Sequence, residues 1–192
     1  WIITETDASK VRQLQTALGL CEPVARALVN RGVSTEKEAR RFLQPDLSDL
    51  HDPYLFRDMK AAVTRIVRAI KQEEPIVIYG DYDVDGITGT AILVKFIRRL
   101  GGRVTSYIPD RQEGYGLNCG AIRSLAEQGC KLVVTVDCGI SSHEEIALGY
   151  SLGMEFVITD HHEPPPELPR AEAIINPKVA GSGYPFSGLA GV

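Results

Sequence analysis

The sequence lacks the signatures of several common protein classes. Its four cysteines form no C-x-x-C pair, which argues against a structural zinc site and a dense disulfide framework and fits a reducing cytoplasm. No apolar run approaches the ~18 residues of a membrane span, and no signal peptide or transit sequence is visible at the start. We therefore expect a cytoplasmic protein with no membrane association.

The chain also lacks an excess of positive charge. Its 25 acidic and 21 basic residues give a formal net charge of −4, which argues against a basic nucleic-acid clamp within this segment. Nucleic acid stays open as a substrate, because bound divalent metals and other domains can supply positive charge. With 192 residues, of which 44% are hydrophobic, the chain can bury roughly 70% of its unfolded surface without disulfides.

Residues 1–74 are predicted to form a small helical region. Apolar residues recur at helical spacing, Thr35 and Glu38 have the spacing of a capping box, and Pro45 and Pro53 mark a loop. The last helix of this region carries an apolar stripe of Met59, Val63, Ile66, Val67 and Ile70. We interpret the region as a helical cap that packs on a larger domain, with DNA contact as the alternative.

Between residues 75 and 192, apolar runs alternate with helical segments. Five runs are predicted to be strands, at 76–79, 104–108, 132–136, 156–159 and 173–175. Helices are predicted after the first three runs, at 88–100, 118–128 and through 144–148. The first four runs recur roughly every 25–30 residues, and their continuous apolar character indicates a parallel sheet covered on both faces. The predicted fold class is therefore α/β, a doubly wound parallel sheet preceded by the helical region.

Each predicted strand is followed by polar side chains. In chain order these are Asp81, Asp83 and Asp85; Asp110, Arg111 and Glu113; Asp137; Asp160, His161 and His162; and Asn176 and Lys178. The carboxyl ends of parallel strands lie along one edge of the sheet, where ligands of open α/β sheets bind. Residues spread over a hundred positions are therefore predicted to converge on one crevice.

The acidic residues of this crevice favour a divalent metal as the ligand. Residues 80–86 (Gly-Asp-Tyr-Asp-Val-Asp-Gly) lack the phosphate-binding patterns G-x-G-x-x-G and G-x-x-x-x-G-K-[ST]. Two carboxylates ~6 Å apart repel each other by about 2–3 kcal/mol at an effective dielectric of ~20. Such groups either hold protons at neutral pH or share cations. The mixture of Asp and His favours Mn²⁺ over Mg²⁺, which prefers oxygen ligands alone.

Each candidate residue also has a simpler interpretation. Acidic residues that follow a strand could cap turns or helices, and the pair His161 and His162 could lie in a solvated loop. Arg111 could form a surface ion pair with Glu113 or bind a substrate phosphate. Cys138 is expected to be a buried thiol rather than a nucleophile.

At these positions the sequence resembles the DHH family of phosphoesterases. Asp160-His161-His162 is the triplet that gives the family its name, residues 80–86 match its first motif, and residues 136–139 match its third. Further stretches resemble the bacterial single-strand-specific 5′→3′ DNA exonucleases of this family, namely 31–35, 42–45, 111–117 and 187–192. The resemblance covers essentially the whole chain and rests on the motifs jointly.

The resemblance implies a phosphodiesterase with two divalent ions, Mn²⁺ or Mg²⁺. The implied metal ligands are Asp83 for one ion, Asp137 between both, and Asp85 and His161 for the second. The implied catalytic residues are His162 at the scissile phosphate, Asp160 and Arg111. Relatives carry a His where this chain has Tyr79, so Asp81 or water is expected to complete the first site. A later metal-binding Asp of the family has no counterpart before Val192, so we expect an N-terminal fragment whose domain 75–192 is incomplete.

The implied function is a metal-dependent exonuclease that releases mononucleotides from single-stranded DNA in repair and recombination. A water activated by the ions would attack phosphorus, so no Ser or Cys nucleophile is needed. A single-strand-binding protein and a helicase are the expected partners besides the DNA.

Three alternatives are open. Other members of the family cleave short oligonucleotides or cyclic dinucleotides, and some relatives are non-catalytic scaffolds of replication complexes. Residues 83–86 are also similar to the motif of haloacid-dehalogenase-type phosphatases, in which the first Asp is a covalent nucleophile. In that class Thr usually follows the Gly directly, whereas here Ile87 intervenes.

Overall fold

The structure is a computed structural model that describes residues 5–192. By their internal contacts the described residues divide into two compact units, 5–51 and 52–192. Within this range, no helix is both long enough and apolar enough to cross a lipid bilayer.

The first unit contains three short helices, α1 (Ala8–Leu18), α2 (Glu22–Asn30) and α3 (Glu36–Leu43). Asp7 caps α1 through its side chain, and Thr35 and Glu38 form the predicted capping box at the start of α3. The buried residues of this unit are Val11, Leu14, Ala25, Leu28 and Ala39. The helical character predicted for this part of the chain is therefore confirmed.

The second unit begins before the first strand. Its elements are α4 (Met59–Lys71), β1 (Ile76–Gly80), α5 (Val84–Arg99), β2 (Val104–Tyr107), α6 (Cys119–Glu127), β3 (Leu132–Val136), α7 (His143–Ser151), β4 (Glu155–Thr159) and β5 (Ala173–Ile175). Ala62 and Ala69 of α4 are buried in the same apolar cluster as residues of the sheet. The contacts of α4 thus place it in the same unit as the sheet. The boundary predicted from the sequence, near residue 74, instead assigned α4 to the preceding helical region.

The five strands form one parallel sheet in the order β2-β1-β3-β4-β5. Helices α4 and α5 cover one face, where the cluster around Ile76, Ile78 and Val134 lies. Helices α6 and α7 cover the other face, over Val77 and Val133. The predicted doubly wound parallel sheet is confirmed.

One helix begins earlier than predicted. Asp83 accepts hydrogen bonds from the N–H groups of Asp85 (2.9 Å) and Gly86 (3.0 Å), so α5 starts at Val84 rather than at Thr88. Capping by an Asp side chain pairs the otherwise free N–H groups of the first turn. The consequence is that the acidic loop and the start of α5 form one continuous turn at the end of β1.

Candidate metal centre

The chain reverses its direction of winding at β1. Strand β2 lies on one side of β1, and β3 and the later strands lie on the other side. In doubly wound sheets this switch point leaves a crevice beyond the carboxyl ends of the strands, and ligands bind there. The loops that follow β1, β3 and β4 carry most of the predicted site residues, and they end at this crevice.

The loop after β1 is packed tightly against the start of α5. A Cβ atom at Gly86 would lie 2.5 Å from the backbone nitrogen of Asp81, so only glycine fits this close approach. Asp81 is buried, and its Oδ1 has no hydrogen-bond partner among the described residues. Asp83 is more exposed and has one carboxylate oxygen occupied by the cap of α5. The loop therefore presents one buried and one accessible carboxylate to the crevice.

Asp137 follows β3 and is the most constrained acid of the site. It is 1% exposed and has a φ of 63°, a left-handed conformation that is uncommon for residues other than glycine. Its Oδ1 lies 2.9 Å from Nε2 of His161, but no contact to this oxygen has the geometry of a hydrogen bond. Burial, followed by the charges of Asp85 and Asp83, raises the pKa of Asp137 to about 6.

Asp137 belongs to two groups of potential metal ligands. One group joins it to Asp81 and Asp83, and the other joins it to His161 and His162. Within each group the ligand atoms all lie within 4.8 Å of one another. Buried carboxylate oxygens without partners, together with imidazole nitrogens, are a donor set that fits divalent cations such as Mn²⁺. The residues present therefore fit the metal that the sequence implies.

Asp85 lies at the edge of this arrangement. Its Oδ2 is 3.7 Å from Nε2 of His161 and accepts a hydrogen bond from the N–H of Gly191 at 2.7 Å. Its Oδ1 accepts from the N–H of Val192, also at 2.7 Å. Both oxygens are thus held by backbone, so Asp85 is oriented toward His161 by the segment that contains the last two residues.

Asp160 forms hydrogen-bond contacts with both histidines that follow it in the chain. Its Oδ1 accepts the backbone N–H groups of His161 (2.7 Å) and His162 (3.0 Å) and lies 2.8 Å from Nδ1 of His162. Its Oδ2 accepts the N–H of Ile140 at 3.0 Å. Asp160 is buried, and both its carboxylate oxygens contact nitrogen atoms of the protein. These contacts fix the position of both histidines, and the catalytic role expected for Asp160 from the sequence stays a prediction.

Two further residues, which the predicted set of site residues does not include, contact His162. Tyr115 places its hydroxyl 3.0 Å from the backbone oxygen of Asp137 and 2.9 Å from Nδ1 of His162. Asn176 is buried and donates from Nδ2 to the backbone oxygen of His162 at 2.9 Å. In the sequence, Asn176 is among the polar residues after the fifth predicted strand and Tyr115 lies within the 111–117 segment that resembles the family, but neither residue is given a role there.

Tyr79 and Cys138 lie beneath the crevice and outside both ligand groups. Tyr79 is fully buried, and its hydroxyl donates to the backbone oxygen of Gly116 at 3.2 Å. It therefore does not replace the histidine of the relatives as a ligand. Burial raises the pKa of the Cys138 thiol, which fits the buried thiol expected from the sequence.

Arg111 stands beside the acidic loop. Its guanidinium lies 5.1 Å from the ring centre of Tyr82, the residue between the first two acids of the loop. Glu113 instead accepts hydrogen bonds from Tyr107 and from the backbone N–H of Asp110. No ion pair joins Arg111 to Glu113 within residues 5–192, so the arginine is available to an anion.

A cavity of about 270 Å³ adjoins the metal-ligand groups. Its wall includes Tyr115, Ser141, Ser142 and the side of His162. A void of this size next to the crevice lies just below the usual range for small-molecule sites.

A family model and a curated protein match this chain. The model described as "DHH family, N-terminal domain" matches residues 75–192. The single-stranded-DNA-specific exonuclease RecJ of Bacillus subtilis is 47% identical over 193 residues, which cover 100% of this chain and 25% of that protein. The chain therefore spans about a quarter of the length of the curated relatives it matches.

Two solved structures are similar as well. A crystal structure of exonuclease RecJ bound to manganese matches with a TM-score of 0.64 and 34% identity, over 69% of this chain and 34% of the other. A crystal structure of RecJ from Thermus thermophilus in complex with Mn²⁺ matches with a TM-score of 0.71 and 28% identity, over 98% and 26%. Both agree with the α/β fold, and the family match favours the DHH interpretation of residues 83–86 over the haloacid-dehalogenase one.

Proposed function

This chain belongs to the DHH family, and from that premise we propose that it carries the metal centre of a single-strand-specific 5′→3′ DNA exonuclease that acts in repair and recombination. The observation that carries the proposal is the position of Asp137, a buried acid shared by two groups of potential metal ligands. Relatives named as single-stranded-DNA-specific exonucleases, and RecJ structures that contain manganese, support the same activity.

We propose the following ligands for two divalent ions, Mn²⁺ or Mg²⁺. Asp83 and Asp81 would hold the first ion, with Asp81 in the role that the sequence resemblance gives to a histidine in relatives. Asp137 would be shared between both ions, and His161 and Asp85 would hold the second.

When bound, the ions would stabilise the charge that develops on the phosphate and lower the pKa of water toward about 7. The side chains of this chain would orient the substrate around them. With Nδ1 facing Asp160 and Tyr115, His162 can direct Nε2 to the scissile phosphate. Arg111 can bind a phosphate of the DNA at the side of the acidic loop. Asp160 fixes the orientation of both histidines.

The presence of the acidic side chains at the proposed metal site supports an enzyme rather than a replication scaffold. A scaffold has no need to keep buried acids without partners close together, because their repulsion costs stability. Here Asp81 and Asp137 both carry such an oxygen, which favours a site that binds metal.

The proposal is tested on the full-length polypeptide with long single-stranded DNA labelled at the 5′ or the 3′ end. We expect Mn²⁺-dependent release of mononucleotides from the 5′ end, abolished by EDTA and by Asp137→Asn. Asp7→Asn is the matched control, since Asn also caps a helix well, and it should keep full activity. Cleavage restricted to short oligonucleotides or cyclic dinucleotides would favour the alternative enzymes of the family. Activity that survives Asp137→Asn would contradict the proposed site.

A further inference from the structure

We infer that Tyr115 is a positioning residue that couples the shared metal ligand Asp137 to His162. The inference deepens the proposed function and rests on it. Its basis is the hydroxyl group of Tyr115, which lies within hydrogen-bond distance of two residues, Asp137 and His162, in loops that follow different strands.

The first contact concerns the backbone of Asp137. The hydroxyl of Tyr115 donates to the backbone oxygen of Asp137 at 3.0 Å. That residue has a φ of 63°, a conformation that costs energy for a residue other than glycine and persists only when its surroundings hold it. The hydrogen bond from Tyr115 is one of the contacts that hold this peptide, and through it the direction of the Asp137 carboxylate.

The second contact concerns the tautomer of His162. A hydroxyl that donates its only hydrogen to Asp137 can act only as an acceptor toward Nδ1 of His162, 2.9 Å away. Oδ1 of Asp160 lies 2.8 Å from the same nitrogen and is also an acceptor. Both neighbours therefore require a hydrogen on Nδ1, which leaves the lone pair of Nε2 for an ion or a proton.

The exposure of Tyr115 argues against a role in packing alone. The residue is 52% exposed, so its ring contributes little to the core. The ring meets His162 edge-on, with centroids 5.4 Å apart and planes at 69°. What the side chain supplies is its hydroxyl, directed inward to two groups of the site.

The test compares Tyr115→Phe with wild type in the full-length protein. The variant keeps the ring contact and removes both hydrogen bonds. Tyr107→Phe is the matched control, because it removes the hydroxyl that donates to Glu113, at 2.7 Å, outside the ligand groups. Mn²⁺ affinity is measured by calorimetry without DNA, and kcat and KM are then measured on single-stranded DNA.

We expect Tyr115→Phe to weaken Mn²⁺ binding by about tenfold and to lower kcat by about 10–100-fold, as is typical when a partner of a ligand is lost. The KM for DNA and the Tm should stay near those of wild type, and Tyr107→Phe should change none of these values. Mn²⁺ affinity within twofold of wild type would overturn the inference, whatever happens to the rate. Because calorimetry needs no turnover, this readout decides the role of Tyr115 even if the wild-type protein is not an exonuclease.

Discussion

Oδ1 of Asp160 lies 2.8 Å from Nδ1 of His162, and the same carboxylate accepts three backbone N–H groups. Asp160→Asn replaces one acceptor oxygen with a donor, so at least one of these contacts becomes repulsive. We expect kcat to fall by about 10–100-fold while Mn²⁺ still binds. Steady-state kinetics with calorimetry would check this, and a complete loss of Mn²⁺ binding would show that Asp160 is a ligand instead.

The raised pKa of Asp137 predicts a pH dependence. A carboxyl with a pKa of about 6 in the folded protein, above its ordinary value of 3.8, stabilises the metal-free protein at low pH, and this contribution is lost as the pH rises through 6. Mn²⁺ competes with that proton, so the increase in Tm on adding Mn²⁺ should be larger at pH 7 than at pH 5.

The matched variant for this pH dependence is Asp137→Asn. Asn tolerates the left-handed conformation and carries no charge, so the metal-free variant should be about 1–2 kcal/mol more stable than wild type at pH 7. The difference should shrink toward pH 4, and Mn²⁺ should no longer raise its Tm. A Mn²⁺ effect that is equal at pH 5 and pH 7 in wild type would contradict the assignment.

Asp81 is predicted to be a metal ligand because its Oδ1 is buried without a hydrogen-bond partner in the described part of the chain. Asp81→Asn should therefore weaken Mn²⁺ binding by about 10–100-fold or more. The loss of a residue that only supports a metal ligand already costs that much. Asp110→Asn, which alters an acid that caps a turn outside the ligand groups, should have no effect. Equal Mn²⁺ affinities for Asp81→Asn and wild type would show that Asp81 is not a ligand of the first ion.

Gly191 is predicted to be essential for the shape of the site. A Cβ atom there would lie 2.7 Å from Cβ and 2.8 Å from Oδ1 of Asp137, closer than real side chains pack. Gly191→Ala should displace the carboxylate and reduce Mn²⁺ affinity by at least about tenfold. Gly188→Ala is the control, since the atoms nearest to its Cβ, from 2.9 Å, would belong to the ring of Phe186, an exposed side chain that can turn away. A Mn²⁺ affinity of Gly191→Ala equal to that of wild type would contradict this prediction. It would mean that the segment around residue 191 moves away from Asp137 without disturbing the carboxylate.

The fold was largely predictable because its strands are fully buried. A parallel strand covered on both faces is a continuous apolar run, and β1 and β3 stand out in the sequence for this reason. The sequence predicts the start of α5 four residues late, because Val84-Asp85-Gly86 has the composition of a loop and its helical state depends on the cap from Asp83.

The site was predictable only where its residues follow strands. The convergence of Asp81, Asp137 and His161 follows from the parallel order of the strands. The contacts of Tyr115 with His162 and of Gly191 with Asp85 could not be predicted, because they join loops far apart in sequence. Their geometry depends on tertiary packing, which leaves no local spacing pattern.

The central claim is that Asp137 is shared between two divalent ions, and anomalous diffraction from crystals grown with Mn²⁺ tests it most directly. The account predicts one peak contacted by Asp137, Asp81 and Asp83, and a second contacted by Asp137 and His161. Both peaks should disappear in Asp137→Asn crystals grown in the same way. Peaks that leave Asp137 uncontacted, or that persist in the variant, would contradict the account.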